Sequence, residues 1–195
     1  MSTNRCALAA FAVVVMMTAP GCGDSQATSV EQKPAASAPA QAAPLVPVLA
    51  KAHLADADAA AKKWHSDARL IQIAGRNVKD DGTVPWWEYG AYSSSAKTCV
   101  VITIIRGNVS TQESGGPTCE SAALGDIIDS DQAIKIARAN GVTKQSVSMV
   151  VMASANRPGQ AVWSVIEEGM RNPGDITLDI DAATGKVLGT TKWAV

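Results

Sequence analysis

The chain has 195 residues, 47% of them apolar, 18% charged and 4% aromatic, and seventeen basic against eighteen acidic side chains leave a net charge of −1. That length supports one or two small domains, and the charge balance offers no basic stripe for phosphates, so no nucleic-acid partner is expected. Two histidines, and four cysteines without C-x-x-C spacing, exclude the usual zinc and dithiol layouts, so neither metal nor cofactor is expected.

At the N-terminus Arg5 precedes an unbroken small and apolar run from Cys6 to Met17, followed by Thr18-Ala19-Pro20-Gly21-Cys22. This order predicts a signal peptide over residues 1–21. Its apolar run is too short to span a membrane, which takes about 20 helical residues. The stretch Ala19-Pro20-Gly21-Cys22 resembles the lipobox of bacterial lipoproteins, which implies lipidation of Cys22 and a membrane contact through that lipid. The implied location is the bacterial cell envelope, outside the cytoplasm. Residues 22–50 turn to Ala, Pro, Ser and Gln, with Pro34, Pro39, Pro44 and Pro47 placed against any helix, and form a predicted linker.

The rest of the chain shows one unit written twice. Asp56, Asp58, Ala60 and Lys62 recur 73 residues later as Asp129, Asp131, Ala133 and Lys135, and Trp87 and Tyr89 stand opposite Trp163 and Val165. The first unit, residues 51–112, reads as a helix around Asp56–Trp64 and strands over Leu70–Ala74, Trp86–Tyr92 and Cys99–Arg106. That last strand is apolar on both faces apart from Thr103, which predicts a central or doubly covered position. A connecting loop, residues 113–125, follows, and the polar stretch from Gly107 to Thr118 is expected to be loop. With Cys6 in the signal peptide and Cys22 at the lipid site, Cys99 and Cys119 are left to pair in an oxidising compartment.

In the second unit, residues 126–195, Asp129 with Gln132 forms a capping-box pattern, Ile134, Ile136 and Ala137 supply an apolar helix face, and Asn140-Gly141 stops the helix. Val147, Met149 and Val151, then Trp163 and Val165, then Ile176, Leu178 and Ile180, mark three strands with period-two alternation. The expected architecture is therefore α+β, as two tandem units of one helix on a three-stranded antiparallel sheet. Tandem helix-and-sheet units also occur in the β-lactamase inhibitory protein, a likeness of arrangement alone.

The run ITLDIDAATGKVLG, with Asp181, Ala182, Thr184, Gly185, Lys186 and Val187, resembles the closing motif of the PepSY domain, in which a strand turns back into a last short strand. The helix from Asp129 and the Val162–Val165 stretch fall where that domain has its helix and middle strand. The resemblance spans residues 125–188, and the first unit, with Arg106-Gly107-Asn108-Val109 in place of the motif, is its degenerate copy. PepSY domains occur in metallopeptidase propeptides and in exported bacterial proteins. The resemblance thus implies a non-enzymatic binding or inhibitory module, with a peptidase as the family's candidate target, and the expected partner is another envelope protein.

No catalytic residue is assigned. Ser94-x-x-Lys97 lacks the companion motifs of serine-lysine enzymes, and Asp179-x-Asp181 lacks the further ligands of a calcium loop. His53 and His65 lie at opposite ends of the first helix, too far apart to share a metal. Asp56, Asp58, Asp129 and Asp131 are expected to cap helix starts. Asp181, Thr184 and Gly185 form a turn, since Gly185 admits positive φ and the Asp and Thr can bind the turn amides. Trp86 and Trp87 must face opposite sides of a strand, and pairing Trp87 with inward Trp163 leaves Trp86, Glu88 and Tyr92 as candidate partner-binding residues. The competing readings are a structural lipoprotein holding wall or membrane components, and an enzyme built on Asp179 and Asp181.

Overall fold

A computed structural model describes residues 43–114, 121–153, 159–168 and 173–194. The predicted signal peptide, Cys22 and Cys119 lie outside these residues. The elements in chain order are α1 (Leu54–Trp64), β1 (Arg69–Gly75), β2 (Glu88–Ser93), β3 (Thr98–Ile105), β4 (Asn108–Ser114), α2 (Ser130–Ala139), β5 (Val147–Ala153), β6 (Ala161–Glu167), β7 (Ile176–Asp181) and β8 (Val187–Lys192). All eight strands join one antiparallel sheet in the order β4-β3-β2-β1-β5-β6-β7-β8. The protein is α+β, with the two helices on one face of that sheet.

Alternation sorts the side chains. Ile73, Tyr89, Ile102, Met149, Val151, Trp163, Val165, Leu178 and Ile180 point to the helix side and are almost fully buried, with Ala57 and Ala61 of α1 and Ala133, Ile134 and Ala137 of α2 above them. Small helix residues let each helix lie close to the strands. At the centre, β1 and β5 pair through Ile73 and Val151, and Trp87 meets Trp163 edge to face with ring centroids 6.2 Å apart. Trp87 packs directly over Gly75, where a Cβ would come within 2.5 Å of its ring, so only glycine fits there.

Both tryptophans also tie down the chain entering a helix. Trp87 Nε1 donates to the Val48 carbonyl at 2.9 Å and Trp163 Nε1 to the Ile128 carbonyl at 3.1 Å. Tyr89 donates its hydroxyl to the Ala50 carbonyl. Burial and the nearby Asp129 and Asp56 hold that phenol well above its usual pKa, which keeps it a neutral donor. Asp129 is the N-cap of α2, accepting from Ser130 N at 2.7 Å, and it also accepts from Lys51 N at 3.1 Å. Ser130 Oγ accepts from Ala50 N. One cap thus joins the starts of both helices.

Several expectations need correction. Each helix is followed by four strands rather than three: the stretch predicted as polar loop from Gly107 contains β4, exposed along its whole length and therefore without the apolar alternation that marks a strand. Strand β3 is second from the edge; Val100, Ile102 and Ile104 are buried on the helix side while Val101, Thr103 and Ile105 are half-buried opposite. Residues 48–50 are part of the fold, with Val48 bridged to Val84 and Ala50 fully buried, so the linker stops short of the predicted residue 50. His53, without a side-chain cap, begins α1; Asp56 contacts His53 at 3.2 Å, and Asp58 and Asp131 pair with Lys62 and Lys135 one turn on. Of the four aspartates, Asp129 alone caps a helix start.

Candidate binding face

The opposite sheet face is bare of helices among the described residues, although Ile71, Tyr92, Cys99 and Val162 on it are buried. Two rungs of side chains cross it from β3 to β7. Thr103, Glu88, Ala74, Val150, Ser164 and Asp179 form one, each paired with the next, and Val101, Gly90, Gln72, Met152, Val162 and Asp181 form the other. Six strands at the usual spacing span about 24 Å. The face is mixed: half-buried Val101 and Val150 lie among short polar groups, Val162 is buried, and Met152 is 44% exposed. Asp179 accepts from Ser164 Oγ at 2.7 Å, so the acidic edge of the face is braced from the next strand.

Trp86 and Glu88 are exposed, whereas Trp87 beside them is 1% exposed. Tyr92, grouped with them by the alternation, is buried: it packs with Ile71 and Cys99 in a small second cluster, under the Arg69 guanidinium 5.2 Å from its ring centroid. Arg69 donates in turn to the Ser121 carbonyl, so the returning chain near Ser121 closes over this end of the sheet. Cys99 is disulfide-bonded; Cys119, its expected partner, is outside the described residues. A candidate surface on this face therefore contains Trp86 and Glu88 without Tyr92.

The Asp181 turn is built as its residue types demand. Its Oδ1 accepts from Ala183 N at 3.0 Å, Thr184 N at 2.8 Å and Thr184 Oγ1 at 2.8 Å, while Gln160 Nε2 donates to Oδ2. Gln160 and then Thr184 hold its carboxyl below the usual carboxylate range. Gly185 has φ +75 and sits where a Cβ would lie 3.0 Å from Ile136 Cδ1, so the turn is pressed against α2. The Asp181 carboxylate is thereby engaged in the backbone of a turn.

Other polar groups are similarly committed. The Asp67 carboxylate accepts from Ser93 Oγ, Ser94 Oγ, Ser95 N and Ser95 Oγ at 2.8–2.9 Å. The Ser95 amide, then the Ser93 and Ser94 hydroxyls, hold it far below its ordinary pKa. Ser94 thus serves Asp67, away from any serine-lysine pairing. Buried Glu167 accepts from Thr143 N, Lys144 N and Ile176 N, and Lys144 Nζ pairs with buried Asp175. Burial alone pushes the Glu167 carboxyl up, but the amides of Lys144, Thr143 and Ile176 outweigh it and hold it below the usual value. Glu168 is held low in the same way by Ser146, Ser148 and the Asn77 amide, beside a cavity of about 360 Å³ lined by Asn77, Lys79, Asp80 and Gln145. His53 and His65 stand at opposite ends of α1, and His65 packs edge-on against Trp64. Among the described residues no three His, Cys, Asp or Glu side chains are grouped to hold a metal ion, and no helix is long and apolar enough to cross a membrane.

Residues 127–191, from the approach to α2 into β8, match the family model described as "Peptidase propeptide and YPEB domain". This part of the chain is similar to the PepSY family. The PepSY match thus contains α2 and β5–β8, the Asp181 turn and half of the bare face. No curated protein sequence matches the chain. A solved structure, that of a protein from Clostridium difficile 630 designated a "putative lipoprotein", is similar over 71% of this chain and 91% of its own, with a TM-score of 0.50 and 16% identity. A likeness at that identity shows the shared fold. Its reach beyond the PepSY match means that the neighbour and this chain share architecture in the N-terminal half as well.

Proposed function

We propose that this chain is an exported, non-enzymatic PepSY-type module, tethered to a bacterial membrane through lipid on Cys22, that binds another envelope protein across the bare sheet face. The observation that carries this reading is a sheet with both helices on one side and, on the other, a mixed surface with Met152 exposed in it and Trp86 exposed beside it. Exposed tryptophan and methionine on a preformed surface suit protein recognition, where a few aromatic anchors supply most of the affinity. The neighbour designated a lipoprotein favours the envelope location, and the PepSY family favours regulation of a peptidase as the form the binding takes. Asp67, Asp181 and Glu167 are engaged in turns and strand ends, and Asp179 is paired with Ser164, which leaves the binding reading ahead of an enzymatic one.

The same proposal takes the N-terminal half as a diverged copy of the PepSY unit. Its support is the element order, a helix and four strands in each half, and the spacing of equivalent buried residues. Trp87 and Trp163, Tyr89 and Val165, Ala57 and Ala133, Ala61 and Ala137 are all 76 residues apart. The aspartate match at 73 residues is then out of phase with the packing.

A photoreactive amino acid placed at Trp86, with Lys62 on the exposed side of α1 as control, tests the binding face. A discrete envelope protein crosslinked from position 86 and absent from position 62 is expected. Equal crosslinking from both positions would remove the bare face from consideration.

A further inference from the structure

Strand β4 ends the sheet with a backbone edge that nothing among the described residues covers. Its two-residue connection from β3, with Arg106 at φ 53 and Gly107 at φ 75, has the left-handed pair of a type I′ hairpin. In such a hairpin the closing pair, Ile105 and Asn108, exchanges both backbone hydrogen bonds, and parity fixes the remainder. The N–H and C=O groups of Asn108, Ser110, Gln112 and Ser114 point to β3. Those of Val109, Thr111 and Glu113 point away from the sheet.

Among the described residues this edge lacks the usual protection. Sheet edges are commonly blunted by proline, lysine, bulges or cover, and β8 at the opposite end has an irregular register beside Asp179 and carries Gly189 and Lys192. The β3–β4 pairing runs without a register shift, and β4 is exposed at every residue with Glu113 as its one charge.

We infer that β4 is a self-pairing edge, which joins a second copy of this chain antiparallel about Thr111. In that register Val109 faces Glu113 of the second copy, Thr111 faces Thr111, and Ser110 faces Gln112. All three outward N–H groups and all three outward carbonyls of each copy are then satisfied, giving six backbone hydrogen bonds. Shifting the centre by one residue either way leaves some of them unmatched. The side-chain pairs agree: Thr with Thr and Ser with Gln are favourable cross-strand neighbours, and the single acid never faces its own copy. Glu113 is already held on the helix side by Trp64 Nε1 at 2.7 Å. Pairing produces one sixteen-stranded sheet with the bare faces of both copies on the same side, so it adds to the proposed binding face without using it.

Sedimentation equilibrium of the full chain in detergent, over a dilution series, tests this. A dimer is expected for the natural sequence. Thr111→Pro removes an outward N–H while sparing the β3 ladder, and is expected to give monomer. Val109→Lys places a cation opposite Glu113 of the second copy and is expected to tighten the dimer by roughly fivefold, and Val109→Glu to weaken it by a similar factor. Within one copy, residues 109 and 113 are too far apart along a strand to interact, so opposite effects of the two Val109 variants report the intermolecular pair, even if Thr111→Pro fails to fold. A natural chain that stays monomeric at every concentration overturns the inference. So do a folded Thr111→Pro variant that still dimerises, and two Val109 variants that shift the equilibrium in the same direction or leave it unmoved.

Discussion

Asp129 satisfies Ser130 N and Lys51 N together, so its loss uncaps α2 and releases the segment leading to α1. Asp129→Ala is expected to lower stability by about 1–2 kcal/mol, whereas Asp58→Ala, which removes an exposed pair with Lys62, should change it by less than about 0.5 kcal/mol; urea unfolding measures both. Gly185 combines a left-handed φ with close approach to Ile136, and Gly185→Ala should cost about 1–2 kcal/mol in the same experiment. The Asp181 turn was legible because its residue types have few other uses. The four aspartates at helix starts were not separable by type, since the same side chain can cap an amide or pair with a lysine four residues on. Alternation puts Tyr92 on the side of β2 away from the helices, but its burial depends on Arg69 and the chain near Ser121, which local alternation does not contain.

Turns in this protein are held by carboxylates that fold below their ordinary pKa. Asp67 gathers the Ser93–Ser95 turn, Asp181 the turn before β8, and Glu167 the ends of β5, β6 and β7. A carboxyl whose pKa is lower in the folded chain stabilises it fully above the unfolded value, about 4, and that contribution fades as pH falls through the folded value. Thermal stability is therefore expected to be flat above about pH 5 and to fall steeply below about pH 4. Asp67→Asn should make that fall shallower, as thermal melts across the acid range would show. Helices and the three apolar strands of each half were readable from periodicity. Strand β4 was not, because an edge strand held by backbone pairing needs no buried side chain.

On the scale of the whole molecule, the two halves share one sheet, joined where β1 meets β5 and where Trp87 meets Trp163. Separating them would expose two raw edges and strip each core of its neighbour. A fragment of residues 122–195, which contains the entire PepSY match, is expected to lack cooperative unfolding and dispersed amide resonances, in contrast to the full chain. The sequence leads to two tandem units with a sheet each, and the single eight-stranded sheet is not legible in it, because β1 and β5 carry the same apolar alternation whether they meet each other or another face.

The segment just before α1 enters the fold through a short bridge to Val84, a ring hydrogen bond from Trp87 and another from Tyr89. A mechanical load drawn along the chain upstream of Val48 therefore arrives first at Trp87 and Tyr89, the two largest fully buried side chains of the N-terminal half, near the junction with Asp129. Such a load would meet the hydrogen bonds around Ala50 and Asp129 before it reached the outer strands β4 and β8.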